Sequence, residues 1–246
     1  MDDRRLPRLI CLPYAGGGHH VFQPWAKALE SRVALVRPVL PGRGSRIHQE
    51  PLSSVDALVA WLRRELQNDC VGNFAIWGHS MGALLGYEIC RSLAADGGPS
   101  PSHLFVSGRL PPHRPRRRDR YHLASDAELI ARLTELGGTP PEILADHDLI
   151  SLLLPMLRAD MTVCETYTWQ PDRRPLHLPI MVIGGDADPD VPIEDLPAWQ
   201  DCTLGAVRSV VMPGGHFFLH EHVQALSALF AESLHAPAPA RATVDA

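Results

Sequence analysis

The chain has 246 residues, a length that suits one domain and can bury a core without disulfides or metals. Its composition, 45% hydrophobic and 21% charged with a net charge of −5, is that of a soluble globular protein and gives no sign of a nucleic-acid partner or an anionic membrane. Lys27 is the single lysine among 23 basic residues, and the five cysteines (Cys11, Cys70, Cys90, Cys164 and Cys202) form no CxxC pair and read as packed free thiols. The first apolar run meets Pro13 too soon for a signal sequence, and none approaches the ~18 residues of a membrane span. A cytoplasmic monomer is expected.

In chain order, Leu9 to Tyr14 is an apolar run that enters Ala15-Gly16-Gly17-Gly18, a buried strand followed by a tight loop. Arg32 to Val39 predicts a second strand, stopped at Pro41-Gly42-Arg43-Gly44. Ser53 or Ser54 caps a helix through Leu58, Leu62 and Leu66. Phe74 to Trp77 is a third strand, Gly78 to Gly82 a sharp turn, and Ala83 to Ala94 a helix. Further strands are expected at His103–Val106, Pro179–Ile183 and Val207–Met212, and a last helix at Val223–Leu234. Strands alternating with helices predict an α/β fold with a mostly parallel, doubly wound sheet. Between Arg109 and Arg174 the pattern is purely helical (126–136, 141–145 and about 149–167), which predicts a lid inserted between two strands. One domain over 1–234 and a disordered Ala/Pro-rich tail over 235–246 complete the organisation.

Gly78-His79-Ser80-Met81-Gly82 fits G-x-S-x-G between a strand and a helix. That context forces a strained corner and lifts the Ser80 side chain over the C-terminal edge of the sheet, as a nucleophile requires. His79 beside it reads as packing. Serine needs a general base, and in this architecture acid and then histidine follow it along the chain. His216 fits best, on a loop after a strand and the turn Pro213-Gly214-Gly215; His220 and His222 read as surface residues. The acid belongs to the loop after the fifth strand, where Asp186, Asp188 and Asp190 compete and the spacing G-x-x-D-x-x-V-P favours Asp188. Two backbone N–H groups would hold the developing oxyanion: that of Met81, and one from the first loop, with Ala15 preferred and Tyr14 or Gly16 open. No Gly-Lys-Ser/Thr follows the triple glycine, so a P-loop is excluded, and the 186–190 acids lack the glycine and glutamate of a calcium loop. Nothing in the sequence calls for a metal or an organic cofactor.

Taken in order, these motifs resemble one family. Leu12-Pro13-Tyr14-Ala15-Gly16-Gly17, Leu40-Pro41-Gly42-Arg43-Gly44 and Gly78-His79-Ser80-Met81-Gly82-Ala83 come first. Gly138-Thr139-Pro140, the run Leu154 to Asp160, Glu165-Thr166-Tyr167, Gly184 to Asp188 and Pro213 to Leu219 follow. Over Leu9 to Leu234 the chain is similar to the type II thioesterases that accompany polyketide and nonribosomal peptide synthetases, members of the α/β-hydrolase superfamily. The resemblance implies hydrolysis of acyl groups from the phosphopantetheine arm of acyl or peptidyl carrier proteins, as editing or release. Carrier proteins are typically acidic, so the resemblance suggests a recruiting role for Arg114, Arg116, Arg117, Arg118 and Arg120. A small-molecule esterase, an acyltransferase and a non-catalytic binding protein share the architecture and are the alternatives.

Overall fold

The computed structural model describes residues 6–114, 120–139, 141–171 and 174–236. The expected disordered tail therefore lies outside the described residues, apart from His235 and Ala236.

Six strands form one wholly parallel sheet: β1 (Arg8–Leu12), β2 (Ala34–Val36), β3 (Phe74–His79), β4 (Leu104–Ser107), β5 (Ile180–Gly185) and β6 (Val207–Met212). Their order across the sheet is β2-β1-β3-β4-β5-β6. The inner strands β3, β4 and β5 are buried at every residue, which is why their sequences read as unbroken apolar runs rather than alternation. The strand expected over Arg32–Val39 shrinks to three paired residues at the sheet edge, where Pro38 has no N–H to continue the ladder. The chain order reverses at β1, whose neighbours are β2 on one side and β3 on the other. The loops leaving β1 and β3 therefore open a crevice at the carboxyl edge, the usual place for a ligand in such sheets.

Helices cover both faces. On one lie α2 (Val55–Glu65), whose N-cap Ser54 accepts the Ala57 N–H, and α3 (Met81–Ala95). On the other, α1 (Gln23–Leu29) packs against α7 (Val223–His235) around Trp25, Trp77, Phe105 and Phe230. Helix α1 is only seven residues long and buries only Trp25 and Leu29, too little to show a helical period in the sequence; Pro24 near its start is its one local signal.

Between β4 and β5 the chain forms the expected helical insertion: α4 (Asp126–Leu136), α5 (Pro141–Ala145) and α6 (His147–Thr166). Ser125 and Glu128 close a capping box at the start of α4, and Gly137 ends it in the left-handed conformation. Helix α6 begins two residues before the apolar run suggested, because Asp146 accepts the N–H groups of Asp148 and Leu149. The insertion has its own small core of Leu129, Leu133, Ile150, Leu154, Leu157 and Met161.

Phe230 lies with its ring centroid 4.6 Å from Phe105 and 5.0 Å from Trp77, fully buried. Phe230→Ala should cost about 3–5 kcal/mol, read as a fall in the urea midpoint.

Candidate active site

β3 ends at His79 and α3 begins at Met81, which leaves Ser80 alone at the corner. Its φ of 52° is the sole positive value at a non-glycine residue among the described residues. Such a conformation costs about 1–3 kcal/mol and persists only where surroundings dictate it. Two glycines dictate it here. A Cβ on Gly78 would come 2.0 Å from the Gly82 carbonyl oxygen, and a Cβ on Gly82 would come 2.0 Å from that of Leu12. Helix α3 can thus start against the end of β1, and the Ser80 N–H is tied to the Ser107 carbonyl at 2.8 Å. Ser80 then lines a cavity of about 920 Å³ together with Tyr14, Ala15 and His216. The insertion supplies the far wall, including Leu133, Met161 and Glu165.

The loops after β5 and β6 meet at this cavity. Asp188, with a fully buried side chain, has Oδ2 2.7 Å from Nδ1 of His216. Its other oxygen accepts the Asp190 N–H at 3.0 Å, so the carboxylate is oriented from both sides. A carboxylate at Nδ1 fixes the proton there and leaves Nε2 of His216 as the acceptor nitrogen. The three acids of this loop have separate partners. Asp186 accepts the Gly214 N–H at 2.9 Å and so ties its loop to the His216 loop; Asp190 pairs with Arg132 of α4 at 2.7 Å. It is therefore Asp188 that the fold brings to His216.

Of the candidate N–H groups in the first loop, that of Gly16 is occupied: it donates to Oδ2 of Asp160, at 2.8 Å. Ala15 and Tyr14 remain, both at the cavity wall. Met81 opens α3, so its N–H belongs to the first turn, where intrahelical partners are lacking.

His79 lies beneath the site, wholly buried, with its ring 5.2 Å from that of His216. Its Nδ1 is 3.0 Å from Ser107 Oγ, which also accepts from Trp77 Nε1. Burial, and then the neighbouring His216 and His220, push its pKa well below the ordinary value. Packing is the role the sequence suggested for it. His220 is exposed, as the sequence suggests, and one face of it also meets the Tyr14 hydroxyl at 3.1 Å; desolvation of its ring lowers its pKa. Burial likewise raises the Tyr14 pKa to about 12, so its hydroxyl keeps its proton and remains a hydrogen-bond partner for His220. A second pair in the cavity wall went unnoticed in the sequence: Glu165 accepts the backbone N–H groups of Tyr121 and His122 and holds His122 Nδ1 at 2.5 Å. Of the arginine cluster, Arg114 and Arg120 line the cavity, while Arg116, Arg117 and Arg118 lie outside the described residues. The five cysteines are all free; Cys164 lines the cavity.

The thioesterase domain family model matches residues 7–234. The chain belongs to the thioesterase family. Among the relatives of this thioesterase is the gramicidin S biosynthesis protein GrsT of Aneurinibacillus migulanus, 39% identical over 214 residues that cover 87% of this chain and 83% of the relative. Among solved structures, the type II thioesterase BorB from the borrelidin biosynthetic cluster superposes with a TM-score of 0.87 at 38% identity, covering 94% of both chains. ClbQ from the colibactin NRPS/PKS pathway gives 0.88 at 29% identity, over 94% of this chain and 98% of that one. The fold is thus the α/β-hydrolase type anticipated from the sequence, and the protein is a hydrolase acting on thioesters.

The lowered pKa of His79 has a measurable consequence. Unfolded, the imidazole takes up a proton below its ordinary value of 6.5; folded, it resists doing so. The unfolded state then binds more protons, and stability falls as pH drops from 6.5 towards the folded pKa. The loss of melting temperature between pH 7.5 and pH 5 should be smaller in His79→Gln than in the parent, measured by differential scanning calorimetry.

Proposed function

We propose that this thioesterase removes acyl groups from the phosphopantetheine arm of carrier proteins in a polyketide or nonribosomal peptide pathway, through an acyl-enzyme on Ser80. The observation that carries the reading is the 2.7 Å contact of Asp188 with His216, at the same cavity that Ser80 enters from its strained corner. His216 Nε2 takes the Ser80 proton as Oγ attacks the thioester carbonyl. The negative oxygen rests on the N–H groups of Met81 and Ala15, each such donor being typically worth about 10²–10³ in rate. Collapse expels the arm's sulfur, which takes the proton from the His216 imidazolium and departs as the thiol, returning His216 to its neutral form; with a pKa of about 8.5 such a thiol needs little acid assistance to leave. Water, deprotonated by His216, then attacks the ester, and Ser80 recovers its proton as the free acid departs. Asp188 holds the imidazole in the required tautomer and stabilises the imidazolium.

The pathway is supported by what the relatives' names say of them: gramicidin S biosynthesis for GrsT, the borrelidin cluster for BorB and an NRPS/PKS pathway for ClbQ. The insertion from 109 to 174 serves as a lid over the acyl chain, with the inserted core behind its wall. Arg114 and Arg120 offer positive charge at this cavity to an acidic carrier. Five free cysteines suit a reducing cytoplasm.

The test compares turnover of an acyl-carrier protein with that of the matching free acyl thioester and p-nitrophenyl ester, with Ser80→Ala as control. The carrier-linked group should be hydrolysed faster, with activity abolished in the control. Turnover of the free esters alone would indicate a general esterase. Asp188→Asn should lower kcat by about 10⁴-fold, as loss of the correct tautomer does in serine hydrolases. Asp186→Asn, which leaves His216 and Asp188 in contact, should lower kcat by less than about tenfold under the same assay.

A further inference from the structure

The loop after β1 is a tight turn. The Gly17 N–H donates to the Tyr14 carbonyl at 2.9 Å, and Gly16 in its third position has φ of 80°. A positive φ at that position marks a type II turn, whose central peptide, between Ala15 and Gly16, is flipped relative to the commoner type I. The Ala15 N–H belongs to the preceding Tyr14–Ala15 peptide, so its direction follows from where the turn as a whole is anchored. The flip is held from outside the turn. The Gly16 N–H of the central peptide donates to Asp160 Oδ2 at 2.8 Å, and the Gly17 carbonyl accepts from Arg43 Nη1 at 2.7 Å. Arg43 and Asp160 grip each other as a fork, Nη2 to Oδ1 at 2.7 Å and Nη1 to Oδ2 at 2.9 Å. Leu157, one turn before Asp160 on α6, lies against the same glycine: a Cβ on Gly16 would meet its Cδ2 at 2.7 Å.

Two segments far apart in the chain thus converge on the 14–17 turn: the loop after β2 and helix α6. Asp160 is 1% exposed and Arg43 6%. A buried ion pair is weak evidence of stabilisation, since well-packed apolar residues often serve as well or better. The pair also leaves Arg43 Nε buried with no hydrogen-bond partner, a cost rather than a gain. What it supplies that apolar residues cannot is direction: a carboxylate for the Gly16 N–H and a guanidinium for the Gly17 carbonyl.

We propose that Arg43 and Asp160 are positioning residues, which hold the Tyr14–Gly17 turn so that the Ala15 N–H points at the developing oxyanion. The inference rests on the Ser80 acyl-enzyme reading above. Neither side chain touches the acyl group; both act through the backbone of the turn. A misplacement of about 1 Å at such a donor can cost on the order of 10²-fold in rate.

Three variants, Asp160→Asn, Arg43→Lys and the apolar double Arg43→Met/Asp160→Leu, would be assayed with a free acyl thioester. Rates are normalised to active sites titrated with a phosphonofluoridate, so unfolded protein is not counted. Asp160→Asn should lower kcat 10- to 100-fold with KM within about twofold. Arg43→Lys keeps the charge but not the fork, and should show a kcat loss at least half as large on a logarithmic scale. The double variant, which can fold without the pair, should remain as slow as Asp160→Asn. Affinity for a trifluoromethyl ketone, which forms a tetrahedral oxyanion, should fall in parallel with kcat, while affinity for the unreactive acyl-pantetheine amide stays unchanged. Parental kcat in the double variant, or equal losses for ketone and amide, would overturn the proposal. Failure of the underlying reading looks different: Ser80→Ala would retain turnover, whatever the other variants do.

Discussion

The close passage of α3 over the end of β1 is the constraint on which the site depends. With no side chain at Gly78 or Gly82, the two backbones approach to a distance that a single Cβ would forbid, and Ser80 is forced into φ of 52° between them. The strain lifts the serine out over the carboxyl edge of the sheet, at the point where the chain order reverses between β1 and β3. Everything else arrives at that edge because all six strands run parallel: the turn after β1, the acid loop after β5 and the histidine loop after β6. A parallel sheet collects the ends of its strands on one side, so residues from Ala15 to His216 meet without long detours.

The polar groups around this edge form two connected sets, and each reaches into the insertion. Asp160 of α6 holds the β1 turn together with Arg43, and Arg132 of α4 pairs with Asp190, whose N–H in turn orients Asp188. The helices that wall the cavity are thereby fastened to the two loops that flank Ser80. Below them, His79 is kept neutral by burial against His216, so the floor of the site carries no competing positive charge.

Much of this was legible in the sequence for identifiable reasons. Inner strands such as Phe74–His79 are buried on both faces and read as apolar runs; G-x-S-x-G and the Pro-Gly-Gly-His turn bring their own geometry. The helices Asp126–Leu136 and Pro141–Ala145 have the expected bounds, the first because its capping box and terminal glycine are local signals. Less legible were features settled by distant partners. Asp186, Asp188 and Asp190 look alike in sequence, and only the approach of His216, Gly214 and Arg132 separates them. The grip of Asp160 on Gly16 spans 144 positions and has no periodicity to betray it. Tyr14 with His220, and Glu165 with His122, are likewise products of packing.

The proposed mechanism passes the acyl group through a covalent ester on Ser80. Rapid mixing of the enzyme with an acyl-pantetheine thioester, followed by intact-mass and peptide mass spectrometry, tests it directly. An adduct of the acyl mass is expected on the peptide containing Ser80, formed together with released thiol and lost on a slower hydrolytic step. Thiol release at the full rate with no adduct on that peptide, or with an adduct elsewhere in the chain, would contradict it.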